Sequence, residues 1–178
     1  EQGYDFGDGD NDPTAENPHG DFVGRSILYM ADLLAGQNSP KVRIMPLKVM
    51  DKKSQITVFN VTCATVFAVR HGAQVINYSM GGYGGYQDIL AAGINTREEG
   101  DCLPAIVTSA GNDSIDISVL PHYFSNLRDS LPEVITVNAY QTNPNDTYEM
   151  APYSNYGNNV DLTITGEALY DTYPYTDV

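Results

Sequence analysis

Basic side chains are scarce in this sequence: nine Lys and Arg stand against 23 Asp and Glu, for a formal charge of −14. The long-range field of such a chain repels phosphate backbones and anionic lipid head groups, which excludes nucleic acid and a charged membrane surface as partners. Long apolar runs are missing as well. Leu103–Val107 and Leu131–Val137 are short and interrupted, whereas a membrane-spanning helix needs about 20 apolar residues. Cysteine occurs only at Cys63 and Cys102, too few for a four-ligand zinc framework, which leaves either one disulfide or two buried thiols. Neither an initiator Met nor a charged-then-apolar leader opens the chain, so the expectation is that Glu1 follows a processing event or an excision from something longer.

What is present is the composition of a globular protein. Hydrophobic residues make up 42% and charged residues 18% of 178 positions, a length that suits one domain, residues 1–178, with room for a core. Intrinsic disorder is excluded as the main state. Low charge, an acidic balance and abundant Tyr and Asn fit an extracellular or cell-envelope setting, where a disulfide would persist.

Residues 1–18 carry Gly3, Gly7, Gly9, Pro13 and Pro18 with four Asp, which is loop chemistry with no core-building periodicity. Phe22, Val23, Ile27, Met30 and Leu34 follow the three-and-four spacing of an amphipathic helix that opens just after His19. Lys41–Val49 reads as a buried strand, and Ile56–Arg70 as a helix with Val58, Val61, Val66 and Val69 near one face and Gly72 at its stop. Gln74–Ser79, Leu103–Ser109 and Glu133–Asn138 read as further strands rich in Val and Ile, buried on both faces, with a helix over Tyr86–Glu99 between the first two. Strand and helix alternating at this spacing predict an α/β fold, a doubly wound parallel sheet with helices on both faces. Such sheets bind ligands at the carboxyl ends of their strands. There the sequence places Ser79-Met80-Gly81-Gly82 and Ser109-Ala110-Gly111-Asn112.

His19 stands between a Gly/Asp loop and a helix, in Asn17-Pro18-His19-Gly20. Imidazole is the side chain best suited to move protons near neutral pH, although the position also suits a helix-capping residue. Asn112 ends a buried strand with an amide able to stabilise a developing oxyanion, or merely punctuates a turn. The run Gly81-Gly82-Tyr83-Gly84-Gly85 has neither the G-x-G-x-x-G order nor a following Lys-Ser/Thr, so it is no phosphate cradle. Its open backbone suits an extended peptide pairing by strand addition. Asp8, Asp10 and Asp12 either form a solvated acidic loop or chelate a structural calcium ion. Asn60-Val61-Thr62, Asn77-Tyr78-Ser79 and Asn145-Asp146-Thr147 match the glycosylation sequon.

In order along the chain, Tyr4-Asp5-Phe6, Asp10-Asn11-Asp12-Pro13, His19-Gly20, Val42–Val49, Gly72–Gly82, Ser109-Ala110-Gly111-Asn112 and Tyr153-Ser154-Asn155-Tyr156-Gly157 together resemble the subtilisin-like serine proteases, the subtilases. The resemblance implies that His19 is the base of a Ser-His-Asp triad and Asn112 the side-chain donor of the oxyanion hole. It implies that Ser79, Met80 and Gly81 pair with the backbone of a peptide or protein substrate. Ser109, Ala110 and Gly111 would line the specificity pocket from the opposite side, and residues near Ser54 to Ile56 the other edge of the bound peptide. Subtilases often carry stabilising calcium, for which Asp8, Asp10 and Asp12 are the candidates.

The family's Asp-Ser/Thr-Gly strand and Gly-Thr-Ser helix have no counterpart in residues 1–178. Both are expected in flanking segments of the same gene product, whether in one chain or as separate chains, without which the isolated segment is unstable. After His19 the chain reads Gly20-Asp21-Phe22-Val23-Gly24-Arg25, where the family has Gly-Thr-His-Val-Ala-Gly. That departure motivates the alternative of a catalytically inactive, peptide-binding subtilase-like domain.

Overall fold

The structure is a computed structural model and describes residues 3–14, 17–35, 42–84, 87–95, 103–131 and 133–166. These fall into two compact units, residues 1–74 with 92–103, and residues 75–91 with 104–178.

In the first unit the opening loop is more than a loop. Tyr4–Asp5 (β1) pairs in parallel with Leu47–Lys48 (β2), and Asp5 is 1% exposed. The expectation that residues 1–18 cannot contribute to a core is therefore corrected. Lys48 Nζ donates to Asp5 Oδ2 at 2.8 Å and to Asp8 Oδ2 at 3.0 Å, so a buried carboxylate is tolerated because a cation meets it. Tyr4 and Phe6 bring their rings to 4.7 Å of each other, and Phe6 meets Phe67 edge-on at 5.6 Å. The strand expected over Lys41–Val49 shrinks to the two residues of β2. Val42 and Ile44 are 44% and 40% exposed, because no strand among the described residues pairs with that stretch.

Helix α1 (His19–Ala35) begins at His19 itself. Asn17 Oδ1 accepts the His19 N–H at 2.9 Å, which satisfies one of the donors a helix start leaves open. Asp21 lies in the first turn, where the helix dipole favours negative charge. Helix α2 (Val58–Arg70) is capped by Thr57, whose side chain accepts from Asn60 N. It stops where Gly72 takes φ +74° and Ala73 N–H turns back to Ala68 O. Its buried face is Val61, Ala64, Thr65 and Ala68; of the predicted valine stripe only Val61 is buried, with Val58, Val66 and Val69 half-buried. Small residues let neighbouring backbone approach: Gly93, in α3 (Gln87–Ile94), lies so close to α2 that a Cβ there would stand 2.9 Å from Thr62 Cγ2.

The second unit is built on a five-stranded sheet. Val75–Tyr78 (β3), Ala105–Ser109 (β4) and Val134–Thr142 (β5) run parallel in that spatial order. Leu162–Thr165 (β7) joins β5 in parallel, and Tyr148–Met150 (β6) joins it antiparallel through a turn in which Asp146 takes φ +57°. The sheet is thus mixed, mostly parallel, and consistent with the α/β class. Burial alternates along β4, with Ile106 and Thr108 buried and Ala105, Val107 and Ser109 half-buried, so the expected burial on both faces is corrected to one dominant core face. Tyr78 stacks on Phe124 at 4.4 Å, and Ile106, Ile117, Leu127, Leu131 and Val134 are each at most 3% exposed. Among the described residues no helix is long and apolar enough to cross a membrane. Asn145, one of the sequon residues, is exposed in the β5–β6 turn, whereas Asn60 Nδ2 donates to Val49 O and Asn77 Nδ2 to Ser79 Oγ.

Candidate active site

Parallel pairing aligns Tyr78 with Thr108, so Ser79–Gly81 and Ser109–Asn112 leave the same carboxyl edge of the sheet side by side. Ser79 and Met80 are half-buried and Gly81 exposed, while Ala110 is 1% exposed and Asn112 open to solvent. Ala110 N–H continues the ladder to Val137 O at 2.8 Å, which fixes the β4 side of the crevice.

The turn that presents Asn112 is held from the far end of the unit. Asn155, fully buried, donates Nδ2 to Ala110 O at 2.8 Å and accepts the N–H groups of Asp113 and Ile115 on Oδ1 at 2.9 Å each. Its own N–H goes to Gly111 O at 2.9 Å. Backbone groups on both sides of Asn112 are thereby tied to one side chain. Gly111 takes φ +102° and its Cβ position would overlap Asn155 Nδ2, so only glycine fits.

Tyr83 closes this network. Its hydroxyl donates to Asp113 Oδ2 at 2.6 Å and accepts from Asn155 Nδ2 at 2.8 Å. Burial, together with the hydrogen bond to Asp113, raises its pKa against the lowering by Asn155. His122 is 2% exposed and contacts Ser125 Oγ through Nδ1 at 3.0 Å. Burial pushes the imidazole below its ordinary pKa, partly offset by the Asp113 charge.

The residues expected to carry chemistry divide between the units. Ser79, Met80, Gly81, Ser109, Ala110, Gly111 and Asn112 all belong to the second and come together at one sheet edge. His19 belongs to the first, exposed at the opening turn of α1. Ser54, at φ +59°, tops a turn closed by the Met50–Ile56 bridge, with Asp51 Oδ1 accepting from Lys53 N and Gln55 N. Cys63 sits half-buried on α2, and Cys102 lies outside the described residues.

The carboxylates of the acidic loop have other partners. Asp8 accepts from Lys48 Nζ and Lys52 N, Asp10 from Asp12 N, and Asp12 from Thr14 N. Among the described residues no three acidic, His or Cys groups converge as a metal ion requires. A surface hollow of about 480 Å³ between Tyr140, Tyr148, Met150 and Thr163 contains none of the candidate residues.

Sequence reasoning missed Asn155, Tyr83 and His122 as parts of the site. Asn155 reaches its partners across 40 to 72 residues, a separation no local periodicity reveals. Its one signal is the Ser-Asn-Tyr-Gly turn itself.

A profile of the subtilase family matches residues 1–177. The chain is 29% identical over 175 residues to thermitase of Thermoactinomyces vulgaris, covering 97% of this chain and 57% of that protein. It is 30% identical over 175 residues to a thermophilic serine proteinase of Bacillus sp. (strain AK1), covering 96% and 40%. Among solved structures, a lanthipeptide protease superposes with a TM-score of 0.67 at 24% identity, covering 92% of this chain and 47% of that one; this likeness bears on the fold. The chain thus spans about half the length of these relatives.

Proposed function

The chain belongs to the subtilase family, and from that premise we propose that it is the central part of the catalytic domain of a secreted serine endopeptidase, acting through a Ser-His-Asp triad. The nucleophilic Ser and the triad Asp come from flanking segments of the same gene product, since no Gly-Thr-Ser or Asp-Ser/Thr-Gly occurs in residues 1–178. The Ser Oγ attacks the scissile carbonyl carbon while His19 takes the hydroxyl proton. Charge then develops on the carbonyl oxygen, and Asn112 Nδ2 donates to it. Collapse of the adduct breaks the C–N bond as His19 returns the proton to the leaving amine. Water repeats the sequence on the acyl-enzyme, releasing the acid and restoring the Ser hydroxyl.

The extended substrate lies along Ser79–Gly81, whose backbone adds it as a strand, and its side chain on the acyl side of the cleaved bond enters between that segment and Ser109–Gly111. The observation that supports this reading most is the clamp on Asn112. A donor for a developing oxyanion works only if it is oriented before the charge appears, and Asn155 holds the backbone before and after Asn112.

The test is a fluorophosphonate probe applied to the complete, folded gene product, with the labelled peptide mapped. Labelling at a Gly-Thr-Ser that is lost in His19→Ala is expected. Folded protein that binds peptide but neither labels nor hydrolyses it overturns the reading in favour of an inactive peptide-binding domain.

A further inference from the structure

We propose that His122 plugs the crevice between the Ser79–Gly81 and Ser109–Gly111 segments, so that the substrate residue on the acyl side of the cleaved bond must be small: glycine, alanine or serine. This rests on the peptidase reading above and names the substrate class for that same site.

The argument begins with two glycines. A Cβ built on Gly81 would overlap the Nε2 and Cε1 atoms of His122, and one built on Gly111 would stand 3.1 Å from the same Nε2. The bare backbones of two neighbouring strand-end loops therefore close on one edge of one ring. Space that side-chain-free walls would otherwise leave to a ligand is taken up by the imidazole. At 2% exposure the ring is part of the packing.

The plug is also fixed. Nδ1 is bonded to Ser125 Oγ, itself wholly buried, and the His122 carbonyl accepts Asn126 N–H at 3.2 Å. Tyr123 N–H donates to Gly82 O at 2.7 Å, and His122 bridges Tyr83 in antiparallel fashion. The Tyr83 ring stands edge-on to the imidazole at 5.7 Å. Swinging the imidazole aside would break its bond to Ser125 Oγ and its ring contact with Tyr83, while the backbone bonds hold the residue that carries it in place, so a bulky substrate side chain cannot displace it without losing binding energy. Burial lowers the ring's pKa, partly offset by the Asp113 charge, which disfavours the cation an acidic side chain would meet.

The experiment uses the complete protease, with active sites counted by fluorophosphonate labelling. kcat/KM is measured on peptides that differ only in the acyl-side residue: Gly, Ala, Ser, Leu, Phe and Glu. Wild type is expected to favour Ala, Gly and Ser over Leu and Phe by about tenfold or more, the scale on which a pocket's shape discriminates side chains. In His122→Ala the Leu-to-Ala and Phe-to-Ala ratios should rise by about tenfold, chiefly through KM, while His122→Leu, which retains the bulk, should keep the wild-type order. If His122→Ala fails to fold, the wild-type profile still decides. A labelled enzyme that prefers Leu, Phe or Glu, or whose ratios are unmoved in His122→Ala, overturns this inference alone. Folded protein that does not label overturns the peptidase reading, and this inference with it.

Discussion

Replacing Asn155 with alanine should unfasten the Asn112 turn and cost the second unit a measurable share of its stability. The side chain makes four hydrogen bonds: from Asp113 N and Ile115 N at 2.9 Å, and to Ala110 O and Tyr83 Oη at 2.8 Å. At a net worth of about 0.5–1.5 kcal/mol each, their sum is about 2–6 kcal/mol. The four are unequal. Ala110 O is buried and stays unsatisfied, whereas the Tyr83 hydroxyl retains Asp113 and solvent. We therefore expect a loss of about 3 kcal/mol, read as a shift of the urea midpoint at unchanged slope. Asn155→Asp separates the two halves of the amide. It keeps the one oxygen that accepts both the Asp113 and Ile115 N–H groups but turns a carboxylate oxygen toward Ala110 O. At neutral pH it should be at least as damaging as alanine, and it should recover as the pH falls and the protonated carboxyl donates where Nδ2 did. The folded state raises that carboxyl's pKa, so the unfolded chain releases the proton first and stability increases toward acid. A loss below about 0.5 kcal/mol in Asn155→Ala, or an acid-insensitive Asn155→Asp, would refute the claim that this amide holds the turn.

Three further outcomes follow from the same geometry. Gly81→Ala forces a methyl group into the His122 ring and should destabilise by about 1–3 kcal/mol, with much of the loss recovered in the double variant Gly81→Ala/His122→Ala; strictly additive losses in a double-mutant cycle would sink it. His122 has a depressed pKa from burial, so its contribution is present above its unfolded value and is lost as pH falls through the folded one; urea titrations at neutral and mildly acid pH should show that dependence in wild type and lose it in His122→Gln. Lys48 is raised by its hydrogen bonds to Asp5 and then Asp8. In Asp8, burial pushes the carboxyl up but bonds from Lys48 and the Lys52 backbone outweigh it, leaving a net lowering. The pair's contribution should therefore hold from above the ordinary Asp value of 3.8 up to the ordinary Lys value of 10.5, fading below the first and above the second. Lys48→Met should lower the thermal midpoint and Asp5→Leu/Lys48→Met should restore part of it, because the single change strands a buried carboxylate; an unchanged midpoint in Lys48→Met would contradict the burial of Asp5.

The sequence by itself determined the order of elements, the positions of α1, α2, β3 and β4, and the two strand-end loops. Those features are local: Thr57 caps α2, Gly72 stops it, and short Val/Ile runs broken by Gly mark the strand ends, so the information lies within a few residues of its effect. It also determined the family, since seven short blocks in the right order leave a recognisable trace. Tertiary structure decided what non-local pairing controls. Residues 3–14 read as loop because nothing local shows that Lys48 will meet Asp5. Lys41–Val49 read as strand because its apolar residues fit one, yet only Leu47–Lys48 finds a partner among the described residues. The buried stripe of α2 fell on Ala64, Thr65 and Ala68 because closeness of approach outweighed hydrophobicity. Most of the support around Asn112 was decided in the same way: Asn155, Tyr83 and His122 are ordinary residues in turns until the sheet brings them to the ends of β3 and β4, and a hydrogen bond spanning 45 residues exists only once the chain between its partners has folded.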